Sequence, residues 1–263
     1  MKNRINELFQ TKKQNLLSVY YTAGFPNLKD TIAIAIALEK AGADIIEIGV
    51  PFSDPIADGP VIQESNNIAL QNGMTVKLLL EQVAEIRKAV ELPIILMGYL
   101  NPIMQFGMEA FCRAASKAGV DGLILPDMPM IEFENSYRTI FEVNNLCNTF
   151  LISPTTSEAR IRKIDAATNG FIYAVSSSST TGAKGIFADE QINYFAKLAN
   201  LTLKNPFLIG FGISNPTTFS QACQYSSGAI VGSAFVSLMK NSKNIAEDTD
   251  QFVKKIKGLY SYN

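Results

Sequence analysis

Short apolar, β-branched runs alternate along this chain with longer stretches whose apolar positions recur every three to four residues. The short runs predict strands at 16–22, 44–50, 93–99, 121–127, 147–152, 170–175, 206–212 and 228–232. The longer periods predict helices over 28–41, 60–72, 75–90, 107–118, 131–144, 157–168, 188–200, 215–225 and about 244–258. A short amphipathic helix over 3–11, with Ile5, Leu8 and Phe9 on one side, precedes them, and another short helix begins at Ser233. The strands are apolar on nearly every position, as strands covered on both faces should be. Strict alternation of strand and helix implies parallel strands with helical crossovers.

Eight such units without a composition break predict one α/β domain over 1–263: a (β/α)8 TIM barrel with an extra N-terminal helix and additional short helices. An open doubly wound sheet is the alternative, but no Gly-x-Gly-x-x-Gly follows the first strand. Ala41-Gly-Ala-Asp44 and Ala118-Gly-Val-Asp121 add a faint internal repeat, each leading into an apolar strand.

Charge narrows the partners. The chain carries 23 basic and 24 acidic residues, a net charge of −1, and no sign of nucleic-acid binding. The cluster Lys254-Lys-Ile-Lys257 reads as the wet face of the last helix. No apolar run reaches the ~18 residues of a membrane span, and the first residues lack a secretory apolar region, so a cytoplasmic protein is expected. Cys112, Cys147 and Cys223 are scattered and odd in number, which fits reduced thiols. There is no histidine at all. Ser-His-Asp and Cys-His nucleophile systems are thereby excluded, and most catalytic zinc or iron sites with them. No metal site is expected.

One residue breaks the pattern of its strand. Glu47 lies in Ile45-Ile-Glu-Ile48, and Asp58 follows just beyond the strand end. Either Glu47 points to solvent at a strand edge, or it is buried. A buried carboxylate has a raised pKa and serves as a general acid near neutral pH. In a barrel the chemistry collects at the C-terminal strand ends. Those ends supply Tyr20, Thr22, Glu47, Asp54, Asp58, Tyr99, Asn101, Asp127 and Tyr173. They also supply three glycine-rich segments around Thr181-Gly182, Phe211-Gly212 and Gly232-Ser233. Each glycine alone serves equally as a turn residue; three on consecutive late loops suggest a phosphate cup. No lysine falls on a predicted strand, which disfavours a Schiff-base aldolase. What remains is proton chemistry by carboxylates on a phosphate-anchored substrate.

The segment Glu47-Ile-Gly-Val-Pro-Phe-Ser-Asp-Pro-Ile-Ala-Asp-Gly-Pro60 resembles the signature of the tryptophan synthase α subunit family. Tyr21-Thr-Ala-Gly-Phe-Pro26, Leu125-Pro-Asp-Met-Pro129, Thr180-Thr-Gly182, Gly210-Phe-Gly-Ile-Ser214 and Gly232-Ser233 follow in that family's order. The resemblance covers essentially the whole chain. It implies a lyase that splits indole-3-glycerol phosphate into indole and glyceraldehyde 3-phosphate. It also implies a β-subunit partner in an α2β2 heterotetramer, with pyridoxal phosphate on β and no cofactor on this chain. The loop 176–182 departs from the family by carrying Ser177 and Ser179 where an Arg and a Gly are common.

With the resemblance in hand, the expected roles are a retro-aldol cleavage with Glu47 shuttling protons and Asp58 accepting the indole N–H. Tyr173 helps position near Glu47 or is a core tyrosine. Backbone at Gly182, Gly212 and Gly232, with Ser233, holds the phosphate. Thr181 closes over Asp58, and Phe211, Tyr20, Tyr99 and Leu125 form apolar walls. Asp54 and Asp127 read as loop-stabilising acids. The outer loop residues Ser53, Asp54, Pro55 and Ile56 are expected to face the β subunit. The alternatives are a free-standing indole-glycerol phosphate lyase and a phosphate-binding barrel kept as an allosteric subunit.

Overall fold

The structure, a computed structural model, describes residues 3–176 and 185–259. Nine strands form one parallel sheet: β1 (Leu16–Thr22), β2 (Ile45–Gly49), β3 (Ile94–Met97), β4 (Gly122–Ile124), β5 (Cys147–Thr149), β6 (Leu151–Ile152), β7 (Ile172–Val175), β8 (Phe207–Gly210) and β9 (Gly228–Val231). Their spatial order is β5-β4-β3-β2-β1-β9-β8-β7-β6. The two ends of that order, β5 and β6, are consecutive in the chain with only Phe150 between them. The sheet therefore curls into the expected barrel. The predicted fifth strand is thus two pieces. Phe150 turns its ring outward against Phe133, edge-on at 5.4 Å, yet its carbonyl still accepts the Tyr173 N–H at 2.9 Å.

Alternation along the strands sorts the core into two layers. Leu16, Ile45, Ile95, Ile124, Phe171, Tyr173, Leu208 and Ile230 pack inside the barrel. Leu17, Val19, Ile46, Ile48, Leu96, Leu123, Ile209 and Val231 pack between barrel and helices. Both layers are dry, which is why the strands read as unbroken apolar runs.

The first helix, Arg4–Thr11, is capped by the Asn3 side chain, which accepts from the Ile5 N–H. Its buried residues, Ile5 and Phe9, enter the inner layer and plug the N-terminal end of the barrel. Phe9 meets Phe171 at 5.8 Å, and Ile5 fills the space above Gly122 that any Cβ would occupy. Burying each side chain stabilises the fold by roughly 1.5–3 kcal/mol. Beside this plug, Asp121 is buried. It takes an ion pair from Arg4 at 3.0 Å and one from Arg87 at 2.7 Å, and the Ile94 N–H at 2.9 Å.

One helix, Leu100–Phe106, lies where the sequence predicted none, with Pro102 as its third residue. At the third helical position a proline loses nothing, since the first four N–H groups have no partner within the helix. Both oxygens of Asp127 accept the Leu100 N–H, at 2.9 and 3.1 Å. That makes Asp127 the loop-stabilising acid its position suggested.

Candidate active site

The C-terminal end of the barrel opens into a cavity of about 510 Å³. Its walls include Tyr20, Glu47, Asp58, Tyr173, Phe211, Gly212, Gly232 and Ser233. Eight of the residues expected at the site thus meet in one space.

Glu47 points inward from β2 and is 0% exposed. Inward positions on β1 are 16, 18 and 20, and the register places Tyr20 opposite Glu47. Ser18 Oγ donates to Glu47 Oε1 at 2.7 Å, while Oε2 is buried with no partner among the described residues. Burial pushes the Glu47 carboxyl up to about 7, with the Ser18 hydrogen bond opposing the rise. A buried carboxyl near that value gives and takes protons at neutral pH. The solvent-edge reading of Glu47 is overturned.

Asp58 lies in the loop after β2, one residue before Gly59, which precedes the helix Pro60–Gln71. Burial raises its pKa, and the Tyr99 hydroxyl, donating to Asp58 Oδ2 at 3.0 Å, draws it back toward the anion. The same hydroxyl accepts the Ala57 N–H at 3.0 Å, so Tyr99 stitches the loop from both sides of Asp58. Its ring rests on Phe52 at 5.3 Å. Tyr99 therefore sits behind Asp58 rather than among the walls of the main cavity.

Two tyrosines line the barrel mouth over glycines. A Cβ on Gly49 would lie 2.2 Å from the Tyr20 hydroxyl, and one on Gly210 would lie 2.3 Å from that of Tyr173. The rings lie flat only because those side chains are missing. Tyr173 meets Phe211 edge-on at 6.1 Å. Desolvation raises both phenols above their ordinary value, so both stay neutral.

The late loops form the other wall. Phe211 and Gly212 both adopt left-handed backbone, with φ +67° and +76°. For a bulky residue such as phenylalanine that is strained, and such strain gathers at functional sites. Ser176 Oγ holds the Phe211 carbonyl at 2.7 Å. Across the cavity, Gly232 precedes the helix Ser233–Asn241, whose first turn has no side-chain cap. Gly232, Ser233 and Ala234, at the positive end of that helix, line the same space.

Two further expectations need correcting. Leu125 packs in the layer between barrel and helices, one position past the inward-facing Ile124, so it is not a cavity wall. Pro55 is buried, whereas Ser53, Asp54 and Ile56 are exposed at the loop tip, Ile56 to 89%. Thr181 and Gly182, with the departures Ser177 and Ser179, lie outside the described residues. Sequence reasoning missed Ser18 and Ser176. Alternation alone would have placed Ser18 on the same inward face as Tyr20.

A parallel barrel with a buried carboxyl near neutrality, a second acid at the mouth and glycine-rich late loops around one cavity defines a barrel enzyme of the acid–base class that works without histidine. A family model described as tryptophan synthase alpha chain matches residues 6–261. A tryptophan synthase alpha chain of Flavobacterium psychrophilum is 52% identical, covering 97% of this chain and 99% of that one. One from Parabacteroides distasonis is 53% identical, covering 97% and 99%. A crystal structure of the Legionella pneumophila alpha chain is 33% identical, with TM-score 0.88, covering 98% and 97%. The chain belongs to the tryptophan synthase alpha chain family. It is a carbon–carbon lyase that cleaves indole-3-glycerol phosphate in tryptophan biosynthesis, in a family that works with a beta subunit.

Proposed function

We propose that Glu47 and Asp58 divide the cleavage between them. Protonated Glu47 gives its proton to indole C3, and the ring becomes an indolenine cation. Asp58, its anionic form favoured by the Tyr99 hydroxyl, accepts the ring N–H and offsets the charge. The Glu47 carboxylate then removes the proton from the hydroxyl on the carbon bonded to C3. The O–H electrons form the aldehyde C=O, the C3–carbon bond breaks, and its pair restores the indole. Glu47 ends protonated, as it began. Tyr20, Tyr173 and Phe211 flank the ring, while Gly212, Gly232 and Ser233 bind the phosphate, with Gly182 and Thr181 completing the corner. The observation that carries this reading is the buried Oε2 of Glu47, without a partner among the described residues, on a side chain that lines the cavity together with Asp58.

The reaction so read uses no cofactor or metal of its own; pyridoxal phosphate belongs to the β subunit. Among the described residues no helix is long and apolar enough to cross a membrane, and we place the enzyme in the cytoplasm. Ile56, Met104, Phe106 and Ile131 are exposed, and they follow β2, β3 and β4 in turn, at the same end of the barrel as the cavity. We assign that apolar band to the β subunit in an α2β2 assembly.

Assaying indole release from indole-3-glycerol phosphate tests the chemistry. Asp58→Asn should lose at least about 100-fold in kcat while still binding glycerol phosphate; loss of phosphate binding would make Asp58 structural instead. Ile56→Asp should weaken association with β about tenfold, leaving the isolated chain's turnover nearly unchanged. Unaltered association in that variant would move the interface elsewhere.

A further inference from the structure

The Glu47 carboxyl is asymmetric in a way the reaction does not by itself demand. Its Oε1 is engaged by Ser18 at 2.7 Å, and its Oε2 is buried with no partner among the described residues. Ser18 is itself fully buried. The geometry arises from the barrel. Ser18 and Tyr20 both face inward on β1, with Ser18 in register with Ile45 and Tyr20 with Glu47. Ser18 therefore lies diagonally below Glu47, on the side away from the mouth. From there only a short side chain reaches the carboxyl, and a hydroxyl reaches it as a donor.

Resting on the reading of Glu47 as the acid–base group, we propose that Ser18 is a positioning residue for it. The Ser18 hydroxyl holds Oε1 toward the barrel floor and leaves Oε2 as the one oxygen that exchanges protons with substrate. A carboxyl free to turn would present either oxygen, and the same atom must both deliver the proton to C3 and take the one from the hydroxyl. Among the described residues no other side chain hydrogen-bonds the Glu47 carboxyl. On β3 the residue in register with Glu47 is Ile95, and the next inward residue is Met97. The titratable groups facing Glu47 are Tyr20 from β1, Tyr173 from β7 and Asp58 from the loop after β2, with Tyr99 behind Asp58. None of these is a cation, and no lysine or arginine lines the cavity among the described residues. Ser18 is thus the donor that favours the Glu47 carboxylate, and removing it favours the protonated form.

The test compares pH profiles of kcat/KM for indole release across Ser18→Ala, Ser18→Thr, Ser18→Cys and Glu47→Gln. Activity needs protonated Glu47 at the start, so wild-type kcat/KM falls as pH rises through the Glu47 pKa. Ser18→Ala should move that alkaline limb up by about one pH unit. It should also lower the plateau kcat about tenfold, with KM unchanged because the phosphate corner is untouched. Ser18→Thr restores the hydroxyl and should return the limb to its wild-type position. Should Ser18→Ala not fold, Ser18→Cys keeps the volume with a weaker donor and should shift the limb the same way. The ¹³C chemical shift of the Glu47 carboxyl, assigned by its loss in Glu47→Gln, reads the same titration without turnover. An unmoved limb with Glu47→Gln inactive overturns the role of Ser18 and leaves the mechanism standing. An active Glu47→Gln overturns the mechanism and this inference with it.

Discussion

Two buried carboxylates, at opposite ends of one barrel, have opposite surroundings. Asp121 at the N-terminal end is 4% exposed and its oxygens are taken up by Arg4, Arg87 and the Ile94 N–H. Glu47 in the C-terminal half is 0% exposed and, among the described residues, has one donor and leaves one oxygen bare. An unpaired buried charge is costly, so Asp121 has been given cations while Glu47 resides partly as the neutral acid. The saturated carboxylate ties the plug helix and the helix Val76–Ile86 to the head of β3. The unsaturated one has a proton to give. Burial alone therefore says nothing about catalysis; the count of partners does.

The contrast can be broken in three ways. The largest effect should come from Glu47→Gln, which keeps shape and removes the titrating proton. Indole release should fall about 10²–10⁴-fold, with circular dichroism unchanged; more than a tenth of wild-type activity would end the assignment. Asp121→Ala should do the reverse. It strands Arg87 without its partner, and urea unfolding should show a loss of about 3–5 kcal/mol. Where the variant is folded, its pH–rate limb should match wild type, and a displaced limb would mean that the two ends are coupled.

The smallest effect is a pH dependence of stability. Folding raises the Glu47 pKa from 4.5 to about 7. Between those values the folded state holds more protons than the unfolded one, so stability is fully present below 4.5 and is lost as pH rises through 7. The loss amounts to about 3 kcal/mol. Glu47→Gln should lack it, and chemical denaturation at pH 5 and pH 8 should show the variant gaining on wild type at the higher pH. Parallel curves would mean that Glu47 titrates as an exposed acid.

The barrel was legible because its strands are apolar on both faces and its helices end on glycines such as Gly42 and Gly119. Glu47 and Asp58 were legible because each is the wrong residue type for its place. The helix Leu100–Phe106 was hidden by Pro102, since a proline tolerated in a first turn looks the same as one that breaks a helix. Leu125 was misplaced by one residue. In a strand where every position is apolar, hydrophobicity does not reveal which face is inside, and the inward Ile124 looks no different from its neighbour. Pro55 was read as exposed because loop residues usually are, but its ring tucks under while Ile56 stands out. Ser18 was passed over because a serine in a strand is unremarkable until its neighbour across the ladder is known.

The stopper formed by Ile5 and Phe9 has a consequence for traffic. With the lower end of the barrel closed, the cavity is a cul-de-sac, and every molecule that enters must leave by the same door. In the reading proposed above, the phosphate end of the substrate rests at that door, on the late loops, while the ring lies deeper against Glu47 and Tyr173. In that reading both products share this one exit, and neither can leave through the floor of the barrel.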